Sequence, residues 1–320
     1  MIVRGWIAAG IVIAVWGMTF ASTRMLLEDF SAIEINIARF ALAWAALWLL
    51  CAANGRRTRY ACPACEADTF RGECLFVAMG FTGIVAYQFL ENCAIYYTNA
   101  SNVAILVSFG PIVTALMARA FTAFRQLSMR LIVGSMISIA GVALVSLNGV
   151  MNFELRPLGD IMALCAMVSW GGYSILLDIA NRRGIPPLVA VRKSFGWSLA
   201  MMVPFAFWGM TESGMCALDG SFAVVLDGEI NVQRFTSLLN WMNIAFLGLL
   251  ASAASFVLWS AACKTIGVVR TTISLYLTPI VGVIFAAVFL GERLTALEIL
   301  GGCIILLGVA LATKVRGGET

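Results

Sequence analysis

The chain has 320 residues, of which 61% are hydrophobic and only 12% charged, and its formal net charge is +4. A soluble domain of this length carries about twice that charged fraction, so the composition excludes a water-soluble globule and makes a bilayer the solvent. The chain has no histidine and no GxxxxGK[ST], HExxH or GxSxG sequence, which removes a phosphate cradle for ATP, a zinc-protease helix and a nucleophile elbow from consideration.

A bilayer core about 30 Å thick takes roughly 20 apolar residues per helix. Ten such stretches occur in chain order, at about 6–24, 33–53, 74–97, 101–121, 131–149, 158–179, 187–209, 237–262, 270–290 and 296–313. A membrane barrel alternates apolar and polar residues, and runs such as Ala104-Ile105-Leu106-Val107 do not, so the spans are helical. The first stretch follows Arg4 in the manner of a signal peptide. Its apolar run of about 18 residues exceeds the hydrophobic region of such a signal, and we read it as an uncleaved span.

Lysine and arginine orient the spans, because positive residues of short loops stay cytoplasmic. With the N-terminus inside, Arg4, Arg56, Arg57, Arg59, Arg71, Arg119, Arg125, Arg130, Arg182, Arg183, Arg192, Lys193, Lys264, Arg270, Lys314 and Arg316 fall at cytoplasmic ends. Only Arg24, Arg156, Arg234 and Arg293 fall outside, and Arg39 lies within the second span. Both termini are then cytoplasmic. The positive charge is the topology signal itself and calls for no nucleic acid.

The second half repeats the first. Gly110-Pro111-Ile112-Val113 returns 168 residues later as Thr278-Pro279-Ile280-Val281, and Gly134 and Gly141 return 167 residues later as Gly301 and Gly308. Trp16-Gly17 matches Trp170-Gly171, and Arg39 matches Arg192. Five hydrophobic stretches precede each equivalent endpoint, so the two copies enter the membrane from opposite sides. Such inverted repeats place a substrate site at their interface near the bilayer centre. Pro111 and Pro279 are expected to break spans 4 and 9, which is tolerated at depth where backbone lines a cavity. The glycine pairs of spans 5 and 10 suit close helix packing.

Ionisable residues inside spans cost roughly 2.5–3.5 kcal/mol at mid-helix on insertion scales, so each is a candidate site residue. Tyr87, Gln88, Glu91 and Asn92 share one helical face. There Glu91 either binds a substrate ammonium, titrates as a coupling proton site, or neutralises an interior arginine. Arg39 either pairs with Glu91, grips a substrate carboxylate or reaches outward to the headgroups. Ser252, Ser255 and Trp259 line a face of span 8, where Trp259 replaces Glu91 at the repeat offset. Trp16, Trp170 and Tyr173, together with Ser108 and Tyr276 ahead of the two prolines, are the remaining cavity candidates. Cys62-Pro63-Ala64-Cys65 has the spacing of half a zinc site, but no second pair and no histidine complete it. No metal, catalytic residue or cofactor is called for.

Trp16-Gly17, Arg39-Phe40, the stretch 97–101 leading to Pro111, and Tyr276-Leu277-Thr278-Pro279 leading to Leu290-Gly291-Glu292-Arg293-Leu294 resemble the EamA-type transporters of the drug/metabolite transporter superfamily. The first repeat departs from the pattern, with Ala123-Phe124-Arg125-Gln126-Leu127 in place of a Gly-Glu-Arg-Leu tract. The resemblance implies ten helices around a central cavity, alternating access, and export of amino acids or related metabolites.

The sequence thus reads as an all-α membrane protein with ten transmembrane helices in two inverted five-helix repeats, 1–149 and 150–320, forming one unit. It is read as a multi-pass protein of the bacterial plasma membrane that exports a small polar or amphipathic metabolite. Its partners are that substrate, the lipid bilayer and protons as a coupling ion, with a monomer as a sufficient unit. Two alternatives stay open: an exporter of hydrophobic cations or drugs, and a non-transporting membrane-embedded enzyme or scaffold.

Overall fold

The computed structural model describes residues 2–30, 32–53, 70–98, 100–122, 127–147, 156–208, 232–289 and 294–313. The described residues are almost wholly helical. In chain order they form α1 (Ile2–Leu26), α2 (Ala32–Ala53), α3 (Phe70–Gly80), α4 (Tyr87–Tyr97), α5 (Ala100–Val107), α6 (Gly110–Phe121) and α7 (Met129–Leu147). The second half continues with α8 (Pro157–Arg182), α9 (Pro187–Trp208), α10 (Leu238–Ala245), α11 (Ser255–Ile266), α12 (Val268–Ile273), α13 (Thr278–Phe289) and α14 (Ala296–Thr313). Cys62 and Cys65, Ala123–Gln126 of the departing tract and Gly291–Arg293 lie outside the described residues.

Among the described residues, nine helical stretches are long and apolar enough to cross a membrane. Sequence reading expected ten. Helix α9, with Arg192 and Lys193 in its first half, is not among the nine. Large apolar side chains such as Leu49, Phe121, Val288 and Leu307 point outward from the bundle, as they do where hydrocarbon replaces water.

Local chemistry sets the helix ends. Pro157 and Pro187 open α8 and α9, where a missing N–H costs nothing. Gly184, with φ of 75°, ends α8, and Ile185 N–H donates back to the Ala180 carbonyl at 3.1 Å, closing the helix as a left-handed glycine cap does. Gly267, φ 88°, turns α11 into α12.

The breaks expected at the two prolines are present. Span 4 is interrupted at Ser108 and Phe109 before Pro111 in the first turn of α6. Span 9 tightens into a 3₁₀ turn, Ser274–Leu277, before Pro279 in the first turn of α13. Two further irregularities were not foreseen. A π-helical stretch Phe81–Ala86 joins α3 to α4, and another, Phe246–Ala254, joins α10 to α11. Their last residues, Ala86 and Ala254, stand at the 168-residue repeat offset.

A π turn points carbonyls away from the helix ladder, and side chains collect them here. Ser169 Oγ donates to the Thr82 carbonyl at 2.9 Å, Ser255 Oγ to the Leu250 carbonyl at 2.8 Å, and Trp16 Nε1 to the Ala251 carbonyl at 2.9 Å. Such bulges recur at functional sites.

Helices α7 and α14 cross backbone to backbone. A Cβ on Gly134 would lie 2.6 Å from the Gly308 carbonyl oxygen, and one on Gly141 would lie 2.7 Å from that of Gly301. The pairing runs antiparallel and is reciprocal between repeat mates: Gly134 meets the equivalent of Gly141, and Gly141 meets the equivalent of Gly134. Other contacts between halves follow the same exchange. Helix α1 packs on α11 and α13, as α8 packs on α4 and α6.

Candidate functional site

Trp16 and Trp170 approach from α1 and α8, with ring centroids 5.9 Å apart and planes at 75°. The glycine after each lets its helix come close to a neighbour. A Cβ on Gly17 would stand 2.6 Å from a Val281 methyl, and one on Gly171 would stand 2.7 Å from the Met117 sulfur. The Trp-Gly pair therefore seats its helix and leaves the indole in the centre.

Around these two rings stand Trp259, 5.2 Å from Trp16 and 6.3 Å from Trp170, and Phe256, 5.6 Å from Trp16. Tyr173 and Tyr87 each lie 5.4 Å from Trp170. Six aromatic rings from four spans thus form one contiguous core. Edge-to-face and tilted contacts at these separations are favourable for aromatic quadrupoles. The Trp170 and Trp259 indole N–H groups and the Tyr173 hydroxyl are buried without a protein partner.

The charged pair sits beside this core. Tyr87 donates its hydroxyl to Glu91 Oε1 at 2.9 Å, one helical turn along α4. Arg39 donates its Nε to Ser252 Oγ at 3.0 Å, and its guanidinium carbon lies 5.0 Å over the Phe40 ring. Of the alternatives the sequence left open, the Glu91–Arg39 ion pair is not formed: Tyr87 takes the carboxylate and Ser252 takes the guanidinium. Each charge still feels the other electrostatically. Arg39, Tyr87, Gln88, Glu91 and Asn92 all keep partial exposure.

Other sequence candidates serve the backbone. Ser108 Oγ donates to the Ile105 carbonyl at 2.5 Å at the end of α5, and Ser255 folds back on Leu250. Both hydroxyls satisfy carbonyls that the broken helices leave nearby. Pro111 is buried and Pro279 partly so. Tyr276 is 2% exposed, with the Ser135 hydroxyl beside its own. Phe256 was missed, although its place three residues before Trp259 puts both on one helical face.

Side-chain networks tie helices together towards either end of the bundle. Where α1 ends and α2 and α10 begin, Arg234 pairs with Glu34 at 3.1 Å and lies 5.0 Å over Phe30 and 4.8 Å over Phe235. Asn240 there donates to Asp29 Oδ2 at 2.7 Å. Where α3 and α9 begin, Glu73 accepts from Lys193 at 2.5 Å and from Trp197 Nε1 at 2.7 Å.

A helical membrane protein with broken spans and a mixed aromatic and charged centre has the build of a carrier. The sequence matches the EamA-like transporter family twice, over residues 3–147 and 157–314, and the chain belongs to that family. It is an integral, multi-pass membrane protein. It is 26% identical over 302 residues to a Streptantibioticus cattleyicolor protein named "Probable terminal-alkyne amino-acid exporter", covering 94% of this chain and 91% of that one. A protein of Escherichia coli named "Probable amino-acid metabolite efflux pump" is 25% identical over 309 residues, covering 95% and 92%. Among solved structures, one crystal structure superposes with a TM-score of 0.71 at 16% identity, covering 97% of this chain and 96% of its own. That likeness speaks for the fold alone.

Proposed function

We propose that the chain is a secondary transporter that works by alternating access and exports amino acids or closely related metabolites. The observation that carries this reading is the separation of Glu91 from Arg39. Each uses one face, on Tyr87 and on Ser252, and no ion pair joins them. Two opposite charges held apart in a membrane interior cost free energy. A zwitterion recovers it, with its ammonium on Glu91 and its carboxylate on the Arg39 fork. The relatives' names support the same substrate class and the outward direction.

In this reading the chain has ten spans, with α9 as the seventh, because its 22 residues rise about 33 Å. The halves 1–149 and 150–320 are inverted repeats. The reciprocal antiparallel crossing of Gly134 with Gly308 and Gly141 with Gly301 supports this, since a two-fold axis makes residue i meet j and j meet i. The recurrence of the π-helical stretches at one repeat offset and the double family match support it further. Both termini are cytoplasmic, the membrane is the plasma membrane, and the chain acts as transporter rather than enzyme. Protons are the proposed coupling ion, with Glu91 as their site.

A hydrophobic-cation exporter would use Glu91 and the aromatic rings but would hold its cation within the field of Arg39, which disfavours it. Uptake of a labelled metabolite library into proteoliposomes, with and without a pH gradient, tests the proposal. Flux of α-amino acids is expected. Flux of hydrophobic cations alone selects the rival, and no flux for the whole library returns the scaffold or enzyme reading.

A further inference from the structure

The aromatic core holds more hydrogen-bond donors than the protein uses. The Trp170 and Trp259 indole N–H groups and the Tyr173 hydroxyl have no protein partner, in side chains only 6%, 0% and 1% exposed. An indole nitrogen donates and never accepts, so the two tryptophans can be satisfied only by an incoming acceptor. Buried donors are rarely left in this state, and each such group calls for an explanation.

Trp16 shows that the fold can satisfy an indole at this place. Its N–H reaches the Ala251 carbonyl of the second π-helical stretch at 2.9 Å. The repeat mate, Trp170, has no such bond. The equivalent stretch gives its Thr82 carbonyl to Ser169, and Gly83, the equivalent of Ala251, abuts the Tyr173 ring, whose Cγ would lie 2.5 Å from an added Cβ. The pseudo-symmetry is broken on the side that carries Glu91 and Tyr87, where Tyr87 stacks 5.4 Å from Trp170.

We propose that this aromatic core is the side-chain subsite of the exported molecule, and that Trp170, Trp259 and Tyr173 make it select side chains bearing a hydrogen-bond acceptor over hydrocarbon side chains of the same size. The proposal rests on the amino-acid reading of Glu91 and Arg39 and adds which amino acids are carried. The rings supply apolar area to any side chain. Only an acceptor such as a sulfoxide, carbonyl or ether oxygen relieves the unpaired donors, and each donor engaged is worth about tenfold in binding. A hydrocarbon leaves them as they are, so it gains contact area and nothing more.

Matched pairs of amino acids with uncharged side chains test this on the full chain in proteoliposomes. Methionine and methionine sulfoxide differ by one oxygen, and norvaline and O-methylserine exchange a methylene for an ether oxygen. In competition for counterflow, the acceptor-bearing member is expected to inhibit at roughly tenfold lower concentration. Trp170→Phe and Tyr173→Phe, which delete a donor and keep a ring, should narrow that ratio by weakening the acceptor-bearing member more than its partner. Trp16→Phe deletes a donor already bound to Ala251 and should leave the ratio in place. Equal inhibition within both pairs, or better inhibition by norvaline and by methionine, whose thioether sulfur is only a weak acceptor, overturns the subsite. A ratio that falls equally in Trp16→Phe and Trp170→Phe overturns it as well, since ring packing would then suffice. If no amino acid of the panel competes while hydrophobic cations do, the amino-acid reading itself falls and the subsite with it.

Discussion

Trp16 and Trp170 are 154 residues apart in the chain, occupy equivalent places in the two repeats, and meet edge to face with centroids 5.9 Å apart. In the inverted-repeat arrangement we propose, residues related by the pseudo-two-fold touch one another only near its axis, and this contact would mark that axis. The surroundings of the two indoles then diverge. Trp16 is fastened to a backbone carbonyl of the second half, while Trp170 faces Tyr87 and keeps its N–H unpaired. In the proposed reading, duplication supplies the scaffold, and the difference between Glu91 and Trp259 at one repeat offset makes the site one-sided.

The glycine crossing gives a stability prediction with an internal control. At Gly134 an added Cβ meets the Ala312 backbone nitrogen at 2.5 Å and the Gly308 carbonyl at 2.6 Å, and backbone cannot rotate away. Gly134→Ala should therefore destabilise by about 1–3 kcal/mol through overpacking, lowering the midpoint of thermal unfolding in detergent. Gly10 in α1 has nothing within 4 Å of its virtual Cβ. Gly10→Ala should leave the midpoint unchanged or raise it, since alanine favours a helix over glycine by about 1 kcal/mol. Equal effects from both would mean that α7 and α14 are not packed as described.

Much of this fold was legible because hydrocarbon demands long apolar runs and the repeat doubles every signal. The predicted 296–313 coincides with α14, and 187–209 differs from α9 by one residue. The Tyr87 and Glu91 face was legible because both lie in regular helix after the irregularity. The π-helical stretches were not, since Phe81–Ala86 has no residue type that demands them; only packing does. In span 8, Ser255 bonds back to the Leu250 carbonyl that the π-helical stretch frees, while Ser252 accepts from Arg39. Charge complementarity alone paired Glu91 with Arg39, and neutral partners nearer each of them won.

Alternating access requires that the contacts closing one end be breakable. The Arg234–Glu34 pair, with side chains 14% and 25% exposed, joins the start of α2 to the segment ahead of α10. Arg234→Glu should weaken that closure, and Glu34→Arg should do the same, each slowing export in vesicles. The double reversal restores the attraction and should recover most of the rate, as coupled sites do in a double-mutant cycle. If the double variant is as slow as the sum of the singles, the pair has no role in closure.

The last prediction concerns Arg39 and Glu91 together. Glu91→Gln keeps the length of the side chain and an acceptor for the Tyr87 hydroxyl, so expression and thermal unfolding should change little. What it removes is the negative charge, and amino-acid transport should fall by tenfold or more, with any dependence on a pH gradient flattened. Arg39→Gln removes the opposite pole and leaves Glu91 as an uncompensated charge. Because that charge then favours cations, the variant should lose transport of amino acids and gain transport or inhibition by their methyl esters, which keep the ammonium and lose the carboxylate. Arg39→Lys keeps the positive charge but not the bidentate fork, and should retain amino-acid transport at reduced affinity. Amino-acid transport left intact by Arg39→Gln would sink the assignment of the carboxylate pole. A Glu91→Gln protein that unfolds, while its surviving molecules transport normally, would make Glu91 a structural residue and move the ammonium pole elsewhere.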